Sequence, residues 1–93
     1  MMYQLKYSSQ FKKSLKKCKK RGLDIEKPSL AIRILQNTGT LPAEYKPHPL
    51  INNFKGCMEC HIEPDWLLVW KQNDTELILL LVDTDRHTDV FGW

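Results

Sequence analysis

The sequence predicts an α+β fold in which an antiparallel sheet packs against an N-terminal helical hairpin, in the order β-α-α-β-β-β. Apolar side chains recur at helical spacing in two segments that end near residue 38, whereas apolar runs of strand length dominate after residue 53. The length of 93 residues suffices for one small domain with a modest core, and no linker or repeat divides it. We therefore expect a single domain over residues 1–93.

Residues 1–22 are typical of a strand followed by a helix. Residues 3–7 alternate apolar and polar side chains, which indicates a half-buried strand. Ser8 or Ser9 can then cap a helix, because a serine hydroxyl accepts a hydrogen bond from a free backbone N–H of the first turn. Apolar side chains follow at i, i+4 and i+7, namely Phe11, Leu15 and Cys18. Gly22 is suited to end this helix.

A second helix is predicted between Asp24 and Gly39. Asp24 can act as its N-cap, and Pro28 falls in the first turn, where a missing N–H costs little. An apolar stripe occupies residues 30–35. The residues Asn-Thr-Gly at 37–39 end the helix. The two helices together form a hairpin that can cover one face of a sheet.

Predicted strands dominate the second half of the chain. Residues 41–53 are rich in proline and polar residues, and we interpret them as an ordered loop that carries His48. Three strand segments follow at residues 54–62, 66–70 and 77–82. Turn signals separate them at Pro64-Asp65 and Asn73-Asp74. The last segment is so apolar that we expect it in the interior of the sheet.

The net charge of +3 conceals a strong asymmetry. Residues 1–22 contain eight basic residues and no acidic one, whereas the remainder has six basic and eleven acidic residues, a net of −5. A basic block of this kind attracts phosphate backbones or an acidic protein. The alternative is a solvated lysine face that keeps the protein soluble. The candidate residues on the first helix for binding nucleic acid or an acidic partner protein are Lys12, Lys13, Lys16, Lys17 and Lys20.

The three cysteines favour reduced, buried thiols. Cys57 and Cys60, followed by His61, match the spacing of a c-type haem attachment or of half a zinc site. However, residues three apart on a strand point to opposite faces, and no second chelating pair is present. We therefore expect no metal and no cofactor.

Hydropathy gives no sign of a membrane protein. No apolar run approaches the roughly 20 residues of a membrane span. The residues after Met1 lack the apolar segment of a secretory signal. We therefore expect a cytoplasmic protein without a membrane partner.

The three histidines share one kind of setting, because each lies at the polar edge of an apolar, strand-like run. They are His48, His61 and His87, and Asp65 follows the second of them closely. Histidine can give or take a proton near neutral pH. Together with the lysine-rich N-terminal third, this set indicates proton transfer on a polyanion. RNA is the obvious candidate, because its own 2′-hydroxyl can act as the nucleophile.

Four segments carry a resemblance to a known family. They are residues 41–50 (LPAEYKPHPL), 54–56 (FKG), 59–69 (ECHIEPDWLLV) and 87–91 (HTDVF). This chain resembles the YafQ branch of the RelE/ParE superfamily of bacterial type II toxins, over nearly its whole length. The resemblance implies a RelE-like fold and a metal-independent endoribonuclease that cuts mRNA on the ribosome. It also implies a cognate antitoxin of the RelB or DinJ kind.

The resemblance also implies the roles of individual residues. The catalytic set it indicates is His48, His61, Asp65 and His87, and Trp66 and Phe91 match aromatic positions that line or support the site. Such a site needs a base for the 2′-hydroxyl, an acid for the leaving 5′-oxygen and positive charge at the phosphate. The sequence leaves open which group is the base and which is the acid, and Asp65 could itself be the base.

The chain departs from the family pattern at two positions. The family has an arginine four residues before its C-terminal histidine, where this chain has Asp83, and many relatives have an arginine where this chain has Met58. The positive charge could instead come from Arg86, from Lys46 or Lys55, or from ribosomal RNA. Alternatively, the protein is a weakened toxin that acts by binding the ribosome or the antitoxin. A gyrase-directed relative of the ParE kind is disfavoured, because that branch lacks these histidines.

Overall fold

The computed structural model describes residues 2–50 and 56–86, with the backbone alone at residues 85 and 86. Its elements are β1 (Gln4–Tyr7), α1 (Ser9–Lys20), α2 (Glu26–Thr38), a short 3-10 helix (Ala43–Tyr45), β2 (His48–Pro49), β3 (Met58–Glu63), β4 (Trp66–Asn73) and β5 (Ile78–Arg86). This order confirms the predicted α+β fold. The 3-10 helix and the two-residue strand β2 add structure to the segment that was predicted as a loop.

The five strands form one sheet in the order β1-β5-β4-β3-β2. The pairs β2–β3, β3–β4 and β4–β5 are antiparallel. Strand β5 lies in the interior of the sheet, as predicted. The prediction of a wholly antiparallel sheet is corrected at β1, which pairs with β5 in parallel. Alternation within a four-residue strand reports which side chains are buried but carries no information about the direction of the neighbouring strand.

Ser8 fixes the start of α1. Its Oγ accepts a hydrogen bond from the backbone N–H of Phe11 at 2.9 Å and donates one to the carbonyl of Val82 at 2.6 Å. The second bond joins the first turn of the helix to β5. Phe11 and Cys18 face the core, which confirms the predicted apolar stripe. Gly22 follows the helix with a φ of +81°, a conformation that favours glycine.

The second helix begins and ends close to the predicted residues. Its N-cap is Ile25, one residue later than predicted, while Asp24 contributes by accepting a hydrogen bond from the N–H of Glu26 at 3.1 Å. Gly39 is the C-cap, with a φ of +76°. A Cβ atom added there would lie 2.6 Å from Tyr3 Oη. Glycine is therefore required at this position both by its backbone angle and by the close approach of Tyr3.

The core lies between the helical hairpin and one face of the sheet. Its buried members are Tyr3, Phe11, Ala31, Leu35, Cys60, Leu68, Trp70, Leu79 and Leu81. A polar network closes one end of this core, in which Asp74 accepts hydrogen bonds from the Tyr3 hydroxyl at 2.5 Å and from Gln72 at 2.8 Å. The two bonds lower the pKa of Asp74. The hydrogen bond from Tyr3 to Asp74 also raises the pKa of the Tyr3 hydroxyl.

All three cysteines are free and buried, as predicted. Burial raises the pKa of the Cys60 thiol to about 12, so this sulfur stays protonated at neutral pH. Within residues 2–50 and 56–86, no group of three or more histidine, cysteine or acidic side chains is arranged to hold a metal ion. In the same part of the chain, no helix has the length and apolar character needed to cross a membrane.

Candidate active site

The edge strand β2 brings His48 against the interior of β3. A tight backbone bend at Lys46, with a φ of +50°, ends the 3-10 helix and turns the chain into β2. The register then pairs His48 with Glu59 on β3. Because β2 has only two residues, this pairing is the main constraint that the sheet places on His48.

The His48 ring is held at both nitrogens. Nδ1 lies 2.8 Å from the carbonyl oxygen of Lys46, and Nε2 lies 2.9 Å from Glu59 Oε1. Both partners offer lone pairs, whereas a neutral imidazole has a single N–H. Both contacts are therefore satisfied when one additional proton is held between His48 and Glu59. The His48 side chain is 45% exposed, so an external group can reach this ring.

Glu59 is the site residue that sequence reasoning missed. Its side chain is only 7% exposed, and among the described residues its Oε2 has no hydrogen-bond partner. A buried carboxylate is costly unless a positive charge or hydrogen bonds compensate it. The sequence did carry a signal, because Glu59 stands two residues before His61 in a strand and therefore shares its face of the sheet.

His61 stands on β3 beside His48. The two ring centroids are 6.2 Å apart. The Nδ1 atom of His61 lies 3.2 Å from the carbonyl oxygen of Pro64, in the turn that follows β3. A carbonyl only accepts hydrogen bonds, so Nδ1 carries the proton of the neutral ring. Within the described part of the chain the Nε2 atom has no hydrogen-bond partner, which leaves its lone pair available.

Two clefts of about 230 Å³ each border His61. The first is lined by Lys27, Leu30, Glu44, Tyr45, His61 and Ile62. The second is lined by Glu44, Lys46, His61, Ile62, Glu63 and Pro64. Lys46, which was predicted as a source of positive charge, therefore lies on the wall of a cleft next to a candidate catalytic histidine. Lys27 is paired with Glu63 at 2.8 Å.

Asp65 and Trp66 occupy different settings although they are adjacent. Asp65 is exposed in the turn between β3 and β4, directly after the Pro64 carbonyl that contacts His61. Trp66 is 1% exposed, and its Nε1 donates a hydrogen bond to Thr84 Oγ1 at 3.1 Å. A buried indole presents no open face to a nucleobase. Of the two roles predicted for Trp66, lining the site or supporting it, this burial favours the supporting role.

Asp83 lies in the same cross-strand row as Glu59. Val69 on β4 is in register with Glu59 on one side and with Asp83 on the other. Asp83 is half-buried, and its Oδ1 accepts a hydrogen bond from the N–H of Thr84 at 2.8 Å. Arg86 is the last residue of β5, in register with Trp66, so the segment from Asp83 to Arg86 is a strand and not a loop.

The remaining predicted residues fall into two groups. Lys55, His87 and Phe91 lie outside the described residues.

The helix α1 carries five exposed lysines that were predicted to bind nucleic acid or an antitoxin, namely Lys12, Lys13, Lys16, Lys17 and Lys20. No acidic residue lies in the first turn of α1, and its last turn is basic. The helix therefore presents concentrated positive charge.

Comparison with known proteins gives consistent similarities over nearly the whole chain. A family model for bacterial toxins of type II toxin–antitoxin systems, YafQ, matches residues 3–92. The mRNA interferase toxin YafQ of Escherichia coli (strain B / BL21-DE3) is 40% identical over 89 residues, which cover 95% of each chain. The crystal structure of YafQ from E. coli strain BL21(DE3) is similar with a TM-score of 0.90 and 38% identity, covering 97% of this chain and 99% of that one.

A second solved structure contains a relative together with its antitoxin. It is the crystal structure of the E. coli DinJ-YafQ toxin–antitoxin complex, with a TM-score of 0.89 and 36% identity. The match covers 99% of this chain and 100% of that chain. The similarity therefore extends through every element described above.

Proposed function

The chain belongs to the YafQ family of bacterial type II toxins, and from this membership we propose that it cleaves mRNA with the RNA 2′-hydroxyl as nucleophile. The observation that carries the proposal is the pair of imidazoles His48 and His61, whose ring centroids are 6.2 Å apart. A general acid and a general base each work over a hydrogen bond of about 3 Å. Two imidazoles that lie side by side can therefore both reach the oxygens of one scissile phosphate.

His61 is suited to act as the general base. Its Nδ1–H is directed at the Pro64 carbonyl, which leaves the Nε2 lone pair free to remove the proton of the 2′-hydroxyl. The 2′-oxygen then attacks the phosphorus and forms the O–P bond of a cyclic phosphate. Asp65, exposed in the next turn, is the alternative base.

His48 is suited to act as the general acid. In its protonated form the ring carries a proton on Nδ1 as well as on Nε2, and the Nδ1 proton is the one that can leave because Nε2 faces Glu59. This proton passes to the 5′-oxygen as the P–O5′ bond breaks, so the leaving group departs as a neutral hydroxyl. Lys46 stands beside the same histidines and can contribute positive charge at the phosphate, with Lys55, Arg86 and His87 as further candidates.

The substrate and the partners follow the family. The chemistry is metal-independent and takes place on ribosome-bound mRNA in the cytoplasm. A DinJ-like antitoxin neutralises the toxin. The exposed lysines of α1 provide a surface for ribosomal RNA or for an acidic antitoxin, because both carry the opposite charge.

A second candidate function is supported by Asp83. The acid stands where the family has an arginine, in the row that also contains Glu59. Loss of one electrostatic group from an active site commonly reduces the rate by about 100-fold to 1000-fold. A toxin weakened to this extent would act by occupying the ribosome or by titrating an antitoxin.

Cleavage on programmed ribosomes tests the proposal. The parent protein, His48→Ala, His61→Ala and His87→Ala are compared by primer extension, with Thr75→Ala in the exposed turn after β4 as the control. Discrete cuts by the parent and by Thr75→Ala that disappear in the histidine variants are expected. Toxin treated with EDTA, and freed of EDTA before it meets the ribosomes, should cut equally fast. A parent that binds ribosomes and leaves mRNA intact would favour the weakened toxin.

A further inference from the structure

We propose that Glu59 is the positioning residue of His48, which anchors the ring by Nε2 so that Nδ1 delivers the proton to the leaving oxygen. This inference rests on the proposed function, because it assigns a partner to the general acid. The Glu59 carboxylate is buried behind the exposed imidazole of His48, on the side away from an incoming RNA. Glu59 therefore acts through His48.

The backbone holds Glu59 rigidly. It is paired on one side with His48 on β2 and on the other with Val69 on β4. Its side chain is 7% exposed, compared with 45% for His48. A carboxylate fixed in this way gives Nε2 one well-defined partner, at 2.9 Å.

The two contacts of the His48 ring differ in strength. The bond to Glu59 joins a charged, buried acceptor, whereas the bond from Nδ1 joins the carbonyl of Lys46, a neutral acceptor at the edge of the sheet. Charge-assisted hydrogen bonds are roughly twice as strong as neutral ones. An incoming RNA therefore displaces the Lys46 contact and leaves the Glu59 contact in place.

The unpartnered oxygen of Glu59 gives the anchor a second effect. Among the described residues, Oε2 has no hydrogen-bond partner. The cost of burying the Glu59 carboxylate is therefore offset through its other oxygen, which faces His48. The carboxylate, 2.9 Å from Nε2, attracts the imidazolium electrostatically and so holds the ring in place while Nδ1 donates. A carboxylate on one nitrogen and the reacting group on the other is the arrangement that orients the histidine of serine protease triads.

The Nδ1–H bond of the imidazolium breaks and an O–H bond forms on the 5′-oxygen. The P–O5′ bond breaks at the same time and its electron pair stays on that oxygen. The ring is left neutral, with its remaining proton on Nε2 facing Glu59.

Single-turnover cleavage with saturating toxin and limiting programmed ribosomes tests the role of Glu59. Glu59→Gln should cleave about 100-fold more slowly, the lower end of what a positioned acid contributes, with unchanged ribosome affinity. Glu59→Asp should recover most of the rate, because it restores the carboxylate. The matched control is Glu76→Gln, which removes an exposed carboxylate from the turn before β5, outside both clefts that border His61. It should cleave at the parent rate.

A double variant separates a positioning role from a structural one. If Glu59 acts through His48, adding Glu59→Gln to His48→Ala should cause no further loss of rate. A further loss of tenfold or more would overturn the inference. Full activity of Glu59→Gln alongside an inactive His48→Ala would also overturn it, and would leave the proposed function standing.

The tautomer of His48 provides a test on the unaltered protein. Long-range proton–nitrogen NMR spectra, recorded where the ring is neutral, should show the Nε2–H form of His48, bonded to Glu59. The Nδ1–H form would overturn the inference. This measurement needs no RNA, so it remains decisive for Glu59 even if the parent fails to cut mRNA and the proposed function is lost.

Discussion

Asp83 on β5 and Glu59 on β3 are both in register with Val69 on β4, one on each side, so the three residues form one row across the sheet. Neighbouring strands are about 4.8 Å apart, so their backbones are separated by roughly 10 Å. His48 extends the row by one more strand. An arginine at position 83 would add a cation to this row, whereas this chain adds an acid.

Asp83→Arg should therefore accelerate mRNA cleavage if the site is limited by missing positive charge. The expected gain is on the order of 100-fold, the effect of one electrostatic group at a reacting phosphate. The measurement is the single-turnover rate on programmed ribosomes. Glu76→Arg, in the exposed turn before β5, makes the same change in net charge and should leave the rate as it is. Equal rates in the two variants would mean that the cation is already supplied by another group.

Neutralising the lysines of α1 should weaken the salt dependence of ribosome binding. For Lys12→Gln, Lys13→Gln and Lys16→Gln combined, the slope of log affinity against log salt should fall by about 0.7 to 0.9 for each lysine that contacts a phosphate. Lys71→Gln, an exposed lysine on β4, is the control. The thermal stability of the triple variant should not fall, because like charges on one helix repel. An unchanged slope would exclude phosphate contacts by these three lysines and would leave an acidic antitoxin or solvent as what they face.

The contact between Tyr3 and Asp74 should stabilise the fold only within a window of pH. The pKa of Asp74 is lowered in the folded protein, so its contribution is complete above the unfolded value of about 3.9 and is lost as the pH falls through the folded value. The pKa of Tyr3 is raised, so its contribution is complete below the unfolded value of about 10 and is lost as the pH rises through the folded value. Thermal melts of the parent and Tyr3→Phe should differ most inside this window and converge in strong acid. A difference that does not vary with pH would contradict it.

Ser8→Ala should lower the free energy of unfolding by about 1–2 kcal/mol. The substitution removes an N-cap bond to Phe11 and a second bond to the Val82 carbonyl. Ser9→Ala, one residue later and exposed, makes the same chemical change without either bond and should cost much less. Denaturant titration of the two variants measures the difference. A loss of equal size at both positions would show that Ser8 gains nothing from its two contacts.

Most of the fold was predictable because it depends on local patterns. The apolar spacing of α1, the serine that caps it and the interior character of β5 follow from residues that are close in sequence. The direction of β1 relative to β5 was not predictable, because it depends on the path of the chain between them. The burial of Trp66 depends in the same way on Thr84, which lies 18 residues away.

The candidate site also has residues that the sequence could predict and one that depends on long-range strand pairing. His48 and His61 were predicted as candidates from their residue type and from the family resemblance, and the structure places their rings side by side. Glu59 was missed because its importance arises from the pairing of β2 with β3, and a strand made of only His48 and Pro49 leaves almost no pattern in the sequence. Only the pairing shows that a glutamate in an apolar run faces an imidazole.

The parallel pairing of β1 with β5 also constrains when the toxin can become active during its own synthesis. Ser8 at the start of α1 bonds to Val82, 74 residues later, and among the described strands β1 pairs with β5 alone. A nascent chain that lacks β5 therefore has an unpaired first strand, and its helical hairpin has no complete sheet to cover. Contacts of such long range form late. The nuclease is thus not fully folded until β5 has been synthesised. During this delay an antitoxin that is already present can bind the folding chain.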